Sequence, residues 1–164
     1  MPMTEDARPV VVAFDGSDEA VEAARTAGAL FRDRPILVVT VWEPGLAMAM
    51  VPSANVAEAA YIPPQPEQIE AVDKAQREHA EAMAEAGVKL ASAAGAPAQA
   101  YPVPDEANVA DTIAAIAEQH DAVAVVIGSR GLGRVKVALL GSTSRKLMHE
   151  THRPLLVVRV PERS

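Results

Sequence analysis

Five short, mostly apolar runs are spaced along the chain, and segments with helical character separate them. Apolar runs of this length, with no polar side, are typical of strands that are buried on both faces of a parallel sheet. Strands that alternate with helices predict an α/β fold with a five-stranded, parallel, doubly wound sheet. Such a sheet binds ligands beyond the carboxyl ends of its strands, where the strand order reverses. The predicted strands are residues 9–14, 35–42, 99–103, 122–127 and 154–160.

Four helices are predicted, one after each of the first four strands. Ser17 is a candidate cap for the first helix, and Asn108 or Asp105 for the third. Short polar side chains at these places accept hydrogen bonds from the first free N–H groups of a helix. The predicted helices cover approximately residues 17–32, 67–94, 108–120 and 142–151.

The longest predicted helix follows residues 43–66, which contain too many prolines for a long regular element. Its predicted buried face is defined by apolar residues that recur in steps of three and four. His79 lies on this face, so we expect it to be a partly buried, structural histidine. The face consists of Ile69, Val72, Gln76, His79, Met83, Ala86 and Leu90.

Length and composition narrow the class of protein. A chain of 164 residues is expected to form one domain over residues 1–164, with a core of Val, Ile, Leu, Ala and Met because only 3% of its residues are aromatic. A net charge of −7 argues against binding to nucleic acid or to an anionic membrane. The absence of cysteine excludes disulfides and thiol catalysis. Without a signal peptide or a membrane-spanning run, a cytoplasmic protein is expected.

A glycine motif follows the fourth predicted strand. Gly128, Gly131, Gly141 and Ser142 have the spacing G-x2-G-x9-G-S and lead into the last predicted helix. Glycines let backbone N–H groups approach a ligand closely, and a helix N-terminus adds free donors and a positive dipole end. The motif therefore predicts a phosphate site, most simply for a nucleotide. The alternative is a strand-to-helix connection that needs glycines for its own geometry.

Other polar residues near this motif are candidates for the same ligand. Asp15 follows the first strand and is either a ligand contact or a turn former. Thr143 and Ser144 offer hydroxyl and N–H groups to phosphate, or serve only to cap the last helix. Arg130 is a candidate cation for the phosphates, together with Arg134, Lys136 and Arg145.

These features together resemble the universal stress protein family, and in particular its nucleotide-binding branch. The resemblance covers essentially the whole chain. It is carried by the opening VVAFDGSDEA, the second strand VVTVW, the segment GSRGLGRVKVALLGSTSRKLM and the closing RPLLVV. It implies strand order 3-2-1-4-5, ATP as ligand with Mg²⁺ or Mn²⁺ bound through the phosphates, and a homodimer formed through the C-terminal strand.

The resemblance also implies roles for individual residues. The glycines of the motif and Ser142 would hold the triphosphate, with Thr143 and Ser144 as further donors. Asp15 would contact the adenosine, the Val41 backbone would read the adenine, and Ala13 and Ile127 would line the pocket. No residue of this chain is assigned to catalysis or, through a side chain, to a metal ion.

Three functions are compatible with these residues. The first is a nucleotide-responsive regulator or sensor in the stress response, read by a protein partner that the sequence does not identify. The second is a weak ATPase or phosphotransferase, although the glycine segment supplies neither a carboxylate nor a histidine to orient a nucleophile. The third is an interaction protein with a vestigial pocket. We expect the first, and therefore a protein that is not an enzyme.

Overall fold

The computed structural model describes residues 8–45, 65–105, 107–129 and 141–160. Within these residues, all five predicted strands and all four predicted helices are present. The strands are β1 (Val10–Ala13), β2 (Ile36–Trp42), β3 (Ala98–Pro104), β4 (Ala124–Gly128) and β5 (Leu155–Val158). The helices are α1 (Asp18–Leu30), α2 (Pro66–Ala94), α3 (Val109–Gln119) and α4 (Ser142–Glu150).

The strands form one parallel sheet in the order β3-β2-β1-β4-β5. This confirms the predicted doubly wound α/β fold and its strand order. From β1 the chain proceeds to β2 on one side, and it later returns to place β4 on the other side of β1. The reversal therefore falls between β1 and β4, which makes the carboxyl ends of these two strands the expected ligand position.

Helices cover both faces of the sheet. Alternate residues of β1 point to opposite faces, so Val10 and Val12 pack under α1 and α2, whereas Val11 and Ala13 pack under α3 and α4. On the first face, α1 contributes mostly alanines, whose small side chains let the helix lie close to the sheet. On the second face, Leu147 of α4 is completely buried.

The prediction for the buried face of α2 is wrong, because the observed face is displaced by about one residue along the helix. The buried residues are Ala80, Ala84, Gly87 and Ala91, whereas Ala86 is exposed. A Cβ atom on Gly87 would lie 2.6 Å from Val38 Cγ1, so only a residue without a side chain lets α2 approach the sheet here. Small residues occupy the line of closest approach, and the larger apolar side chains flank it half-buried.

The histidine expected on that face is therefore not structural. His79 is exposed rather than partly buried, and the prediction for it is wrong. The strand boundaries also differ from the predicted ones by one or two residues at nearly every end. The Ala122 N–H donates to the Ala117 carbonyl at the end of α3, and β4 begins only at Ala124. β4 also includes Gly128, which was expected in the loop.

None of the helices within the described residues is both long and apolar enough to cross a membrane.

An ion network ties three elements together at the amino end of the sheet. Arg153, just before β5, donates to both Glu118 oxygens at 3.0 and 2.7 Å and to Asp121 Oδ1 at 2.6 Å. Arg8, just before β1, lies 2.7 Å from Asp121 Oδ2. The Arg153 hydrogen bonds are the main cause that lowers the pKa of Glu118 and of Asp121 below their ordinary values.

This network predicts a loss of stability in acid. The pKa of each carboxyl is lower in the folded state, so its contribution is complete above the unfolded-state pKa, about 4, and is lost as the pH falls through the folded-state pKa. Arg153→Gln should therefore be less stable than the native protein at pH 7, and this difference should shrink below about pH 4. Urea unfolding of both proteins at pH 7 and pH 3 measures it. A difference that stays constant with pH would contradict the assignment.

Candidate functional site

The carboxyl ends of the central strands bring the predicted site residues together at one end of the sheet. β1 lies between β2 and β4, so Asp15, Val41 and Gly128 all lie at or just beyond the carboxyl ends of adjacent strands. The strand order reverses between β1 and β4, so these residues lie at the expected ligand position. The structure thus places together three residues that are separated by 26 and 87 positions in the sequence.

The three apolar candidates share one face of the sheet. Ala13 and Ile127 are 8% and 7% exposed and belong to the core under α3 and α4, and the half-buried Val41 packs against the same core. A flat, apolar group that contacts all three would therefore lie on the side of the sheet that carries α3 and α4.

Asp15 forms a tight turn between β1 and α1. Its Oδ1 accepts a hydrogen bond from the Ser17 N–H at 3.0 Å, and the Ser17 hydroxyl oxygen in turn accepts from the Ala20 N–H at 3.2 Å. This is the turn-forming role that the sequence offered as the alternative. Asp15 is half-buried at the carboxyl end of the sheet, and its contact with a ligand there stays a prediction.

The N-terminus of α4 has the features of an anion site. Its cap is Gly141, which supplies no side-chain hydrogen bond, and its first turn contains no acidic residue. The Gly141 N–H donates to the Ser129 carbonyl at 2.8 Å, which fixes the helix start beside the end of β4. The N–H groups of residues 142–144 belong to the first turn, where a helix supplies no acceptors of its own. They therefore form the positive end of the helix dipole.

The other helices that begin near the carboxyl end of the sheet carry acidic residues in their first turns. α1 is capped by Ser17 and carries Asp18 and Glu19 in its first turn. α3 is capped by Asn108 and carries Asp111 in its first turn. Among the helices of the described residues, α4 is the one without an acid in the first turn, so an anion is favoured there and disfavoured at α1 and α3.

The hydroxyl of Ser144 does not face a ligand. Ser144 is 1% exposed, and its Oγ donates to the Gly128 carbonyl at 3.0 Å. The expectation that this hydroxyl binds phosphate is therefore not met, because its proton is already used inside the protein. Its backbone N–H, the half-buried Thr143 and the exposed Ser142 stay as candidates.

Gly128 is required by the packing of α1. A Cβ atom at this position would lie 2.6 Å from Glu19 Cβ and 2.7 Å from the Glu19 carbonyl carbon. Since a backbone atom cannot move out of the way without shifting the helix, the absence of a side chain has a reason that is independent of any ligand. The remaining predicted contacts in this segment lie outside the described residues; they are Arg130, Gly131, Arg134 and Lys136.

Sequence reasoning missed an ion pair between the first turn of α3 and the middle of α4. Lys146 Nζ lies 3.0 Å from Asp111 Oδ2, and this hydrogen bond is the main cause that lowers the pKa of Asp111. The Asn108 amide also donates to this carboxylate. The pair holds α3 and α4 together beside the candidate anion site, and no pattern within either helix indicates it.

Residues 7–159 match the universal stress protein family. The chain belongs to this family. A curated relative, the universal stress protein in the QAH/OAS sulfhydrylase 3' region of Thermus aquaticus, is 34% identical over 157 residues, which are 93% of this chain and 98% of the relative. The family match covers β1 to β5, and therefore the whole sheet of this universal stress protein.

Solved structures share the fold at lower identity. Protein MJ0577 has a TM-score of 0.72 at 18% identity and covers 95% of this chain and 98% of its own. A universal stress protein from Archaeoglobus fulgidus in complex with dAMP has a TM-score of 0.59 at 23% identity, with 92% and 96% covered. A family member from Arabidopsis thaliana with AMP bound has 0.58 at 17%, with 94% and 92% covered. A universal stress protein in complex with cAMP has 0.62 at 23%, with 92% and 96% covered.

Proposed function

We propose that this universal stress protein binds an adenine nucleotide, with the phosphates at the N-terminus of α4 and the nucleoside at the ends of β1, β2 and β4. The observation that carries the proposal is the first turn of α4, which offers free N–H groups and no acid beside a topological switch point. The complexes of related folds with AMP, dAMP and cAMP support an adenine nucleotide as the ligand.

In this arrangement the predicted contacts would divide between the nucleoside and the phosphates. Ala13, Val41 and Ile127 would face the base on the side of α3 and α4, and Asp15 would lie beside the ribose. Gly141, Ser142 and Thr143 would contact phosphate, and the resemblance adds Gly131. The charge of Arg130 makes it a candidate cation for the same phosphates.

A divalent cation would reach this site with the nucleotide. Among the described residues there is no group of three acidic or histidine side chains that could hold a metal. Mg²⁺ usually keeps several waters and binds through phosphates and one or two carboxylates. A cation bound mainly to the phosphate oxygens of the nucleotide, as for ATP with Mg²⁺ or Mn²⁺, fits these residues.

We infer a regulator or sensor rather than an efficient enzyme. Phosphoryl transfer needs a group that orients the attacking nucleophile, in addition to donors and cations that hold the phosphates. The first turn of α4 supplies N–H and hydroxyl groups, and Asp15 is engaged in the turn before α1. Binding energy at this site would therefore stabilise one state of the protein for a partner to recognise.

Direct titration tests this function. We expect ATP or AMP to bind the purified protein and to raise its stability by about 2.7 kcal/mol at a hundredfold excess over Kd. Calorimetry measures binding, and phosphate release with Mg²⁺ or Mn²⁺ measures turnover. The absence of binding would refute the proposal, and turnover near 1 s⁻¹, which is ordinary for enzymes, would replace the sensor with the ATPase.

We also propose that the chain forms a homodimer through β5. The two edges of the sheet differ, because β3 contains Pro102 and Pro104 whereas β5 contains no proline. Proline protects an edge from pairing with another chain. Leu155, Leu156 and Val157 are only half-buried on the unprotected edge, which suits them to a second copy of the strand.

The hydrogen-bond pattern of β5 selects the residue for a test. Val125 N–H donates to Pro154 O and Ser129 N–H to Val158 O, so residues 154, 156 and 158 face β4 and Val157 turns its backbone to the open edge. Val157→Pro should therefore weaken the dimer without breaking the sheet, whereas Val157→Ala keeps the N–H and controls for lost packing. Sedimentation should give a monomer only for the proline variant. A native protein that is monomeric at micromolar concentration would refute the dimer.

A further inference from the structure

Two buried hydroxyls bond to carbonyls at the ends of the strands that carry the site. Thr40 is 7% exposed and its Oγ1 donates to the Phe14 carbonyl at 2.9 Å. Ser144 is 1% exposed and its Oγ donates to the Gly128 carbonyl at 3.0 Å. Phe14 directly follows β1, and Gly128 is the last residue of β4. Both bonds therefore lie at the carboxyl ends of strands that carry proposed contacts of the nucleotide.

The Thr40 bond extends the contact between β1 and β2 by one step. The paired register of these strands ends at Ala13 and Val39, and the last backbone bond runs from Phe14 N–H to Val39 O at 2.9 Å. The Thr40 hydroxyl then holds the Phe14 carbonyl itself. Since Asp15 follows Phe14 and Val41 follows Thr40, this bond sets the distance between the two proposed contacts of the nucleoside.

The Ser144 bond places α4 against β4. Ser144 is the third residue of α4, so its hydroxyl anchors the first turn whose N–H groups face the proposed phosphate. Together with the bond from Gly141 N–H to Ser129 O, it fixes the start of the helix at two points on the chain that leaves β4.

We propose that Thr40 and Ser144 are positioning residues for nucleotide binding, Thr40 for the nucleoside half of the site and Ser144 for the phosphate half. The proposal rests on the proposed function, and it goes beyond it by dividing the site into two independently positioned halves. Four residue pairs hold β1 to β2, and the buried Leu147 holds α4 to the sheet, so the fold has other supports at both places.

Thr112 provides a matched control. It is also a buried residue, 8% exposed, with a hydroxyl that donates within the protein, to Asp105 Oδ1 at 3.1 Å. Its bond joins α3 to the residue after β3, an edge strand that is not part of the proposed site. Thr112→Val therefore also removes one hydrogen bond of a buried hydroxyl, here to a carboxylate, at a place where no loss of affinity is expected.

The experiment titrates adenosine and AMP into Thr40→Val, Ser144→Ala and Thr112→Val. Loss of one buried hydrogen bond corresponds to roughly a fivefold change in an equilibrium constant. Thr40→Val should weaken both ligands by about this factor or more. Ser144→Ala should weaken AMP by a similar factor and leave adenosine within about twofold. Thr112→Val should leave both unchanged. A merely structural role of Ser144 would not separate the two ligands.

Other outcomes would overturn the proposal. Equal loss of adenosine and AMP in Ser144→Ala, or native affinity in both site variants, would refute the positioning roles while the native protein still binds nucleotide. A native protein that binds neither ligand would refute the proposed function and the positioning roles with it. If Thr40→Val does not fold, Thr40→Ser, which keeps the hydroxyl, is compared with Thr40→Ala; equal affinity in these two variants would refute the role of Thr40.

Discussion

Ser142→Asp is expected to remove most of the affinity for AMP and ATP while leaving the fold as stable as before or slightly more stable. Ser142 is the first residue of α4 and is exposed, and the first turn of this helix contains no acid. A carboxylate at a helix N-terminus stabilises the helix by about 0.3–1 kcal/mol. The substitution is therefore favourable for folding and unfavourable for an anionic ligand at the same place.

The affinity for the nucleotide depends mainly on repulsion between the new carboxylate and the phosphate. Two like charges 4 Å apart interact by about 4 kcal/mol at the effective dielectric constant of a protein surface. Solvent and salt reduce this value at an exposed residue, so we expect a loss of at least about tenfold in affinity. The loss should be larger at low salt, and adenosine, which has no phosphate, should bind almost as well as before.

Ser142→Asn is the matched control, because asparagine has the shape of aspartate without its charge. Calorimetric titration of AMP and adenosine into both variants separates charge from size, and thermal unfolding without ligand measures the effect on the fold. If the Asp and Asn variants bind AMP equally well, the phosphates do not lie at the N-terminus of α4.

Gly28→Ala is expected to destabilise the protein by about 2 kcal/mol, although alanine is the better helix former. Gly28 lies in the last turn of α1 and faces α2. A Cβ atom there would collide with the Ala91 carbonyl oxygen and would lie 2.8 Å from Ala94 Cβ. In an isolated helix the same substitution would gain about 1 kcal/mol.

The collision decides the sign because neither neighbour can rotate away. A carbonyl oxygen and an alanine methyl move only with their backbone, so α1 and α2 must separate and the alanine-rich core between them loses contacts. Overpacking of this kind costs about 1–3 kcal/mol, and contact with backbone places Gly28 near the upper end. After the gain of about 1 kcal/mol in helix propensity is subtracted, a net loss of about 2 kcal/mol is expected. Ser92→Ala, at an exposed residue of α2, gains helix propensity without a collision and serves as the control.

Urea unfolding of the two variants measures the difference. The free energy of unfolding should fall for Gly28→Ala and stay equal or rise for Ser92→Ala. A Gly28→Ala protein at least as stable as the native one would mean that α1 and α2 have room to adjust, which the packing of Gly28 against the Ala91 backbone argues against.

The sequence by itself determined the elements and the class of sheet, and it predicted the place of the site. Apolar runs such as 9–14 and 35–42 specify strands because a strand that is buried on both faces has apolar side chains on both. This pattern lies within a few adjacent residues, so it can be recognised without the tertiary structure. The resemblance added the strand order, which the structure confirms. The glycine motif located the N-terminus of α4, because capping and close approach depend on a few adjacent residues.

The tertiary structure alone decided what those residues touch. Periodicity showed that α2 has a buried face, but the position of its line of closest approach depends on Val38 and Phe14, which lie far away in the sequence. Gly128 meets Glu19 across more than a hundred residues, and the Ser144 hydroxyl turns inward to Gly128. A local pattern cannot encode such contacts, because they form only when helices settle on a sheet that the whole chain has to build.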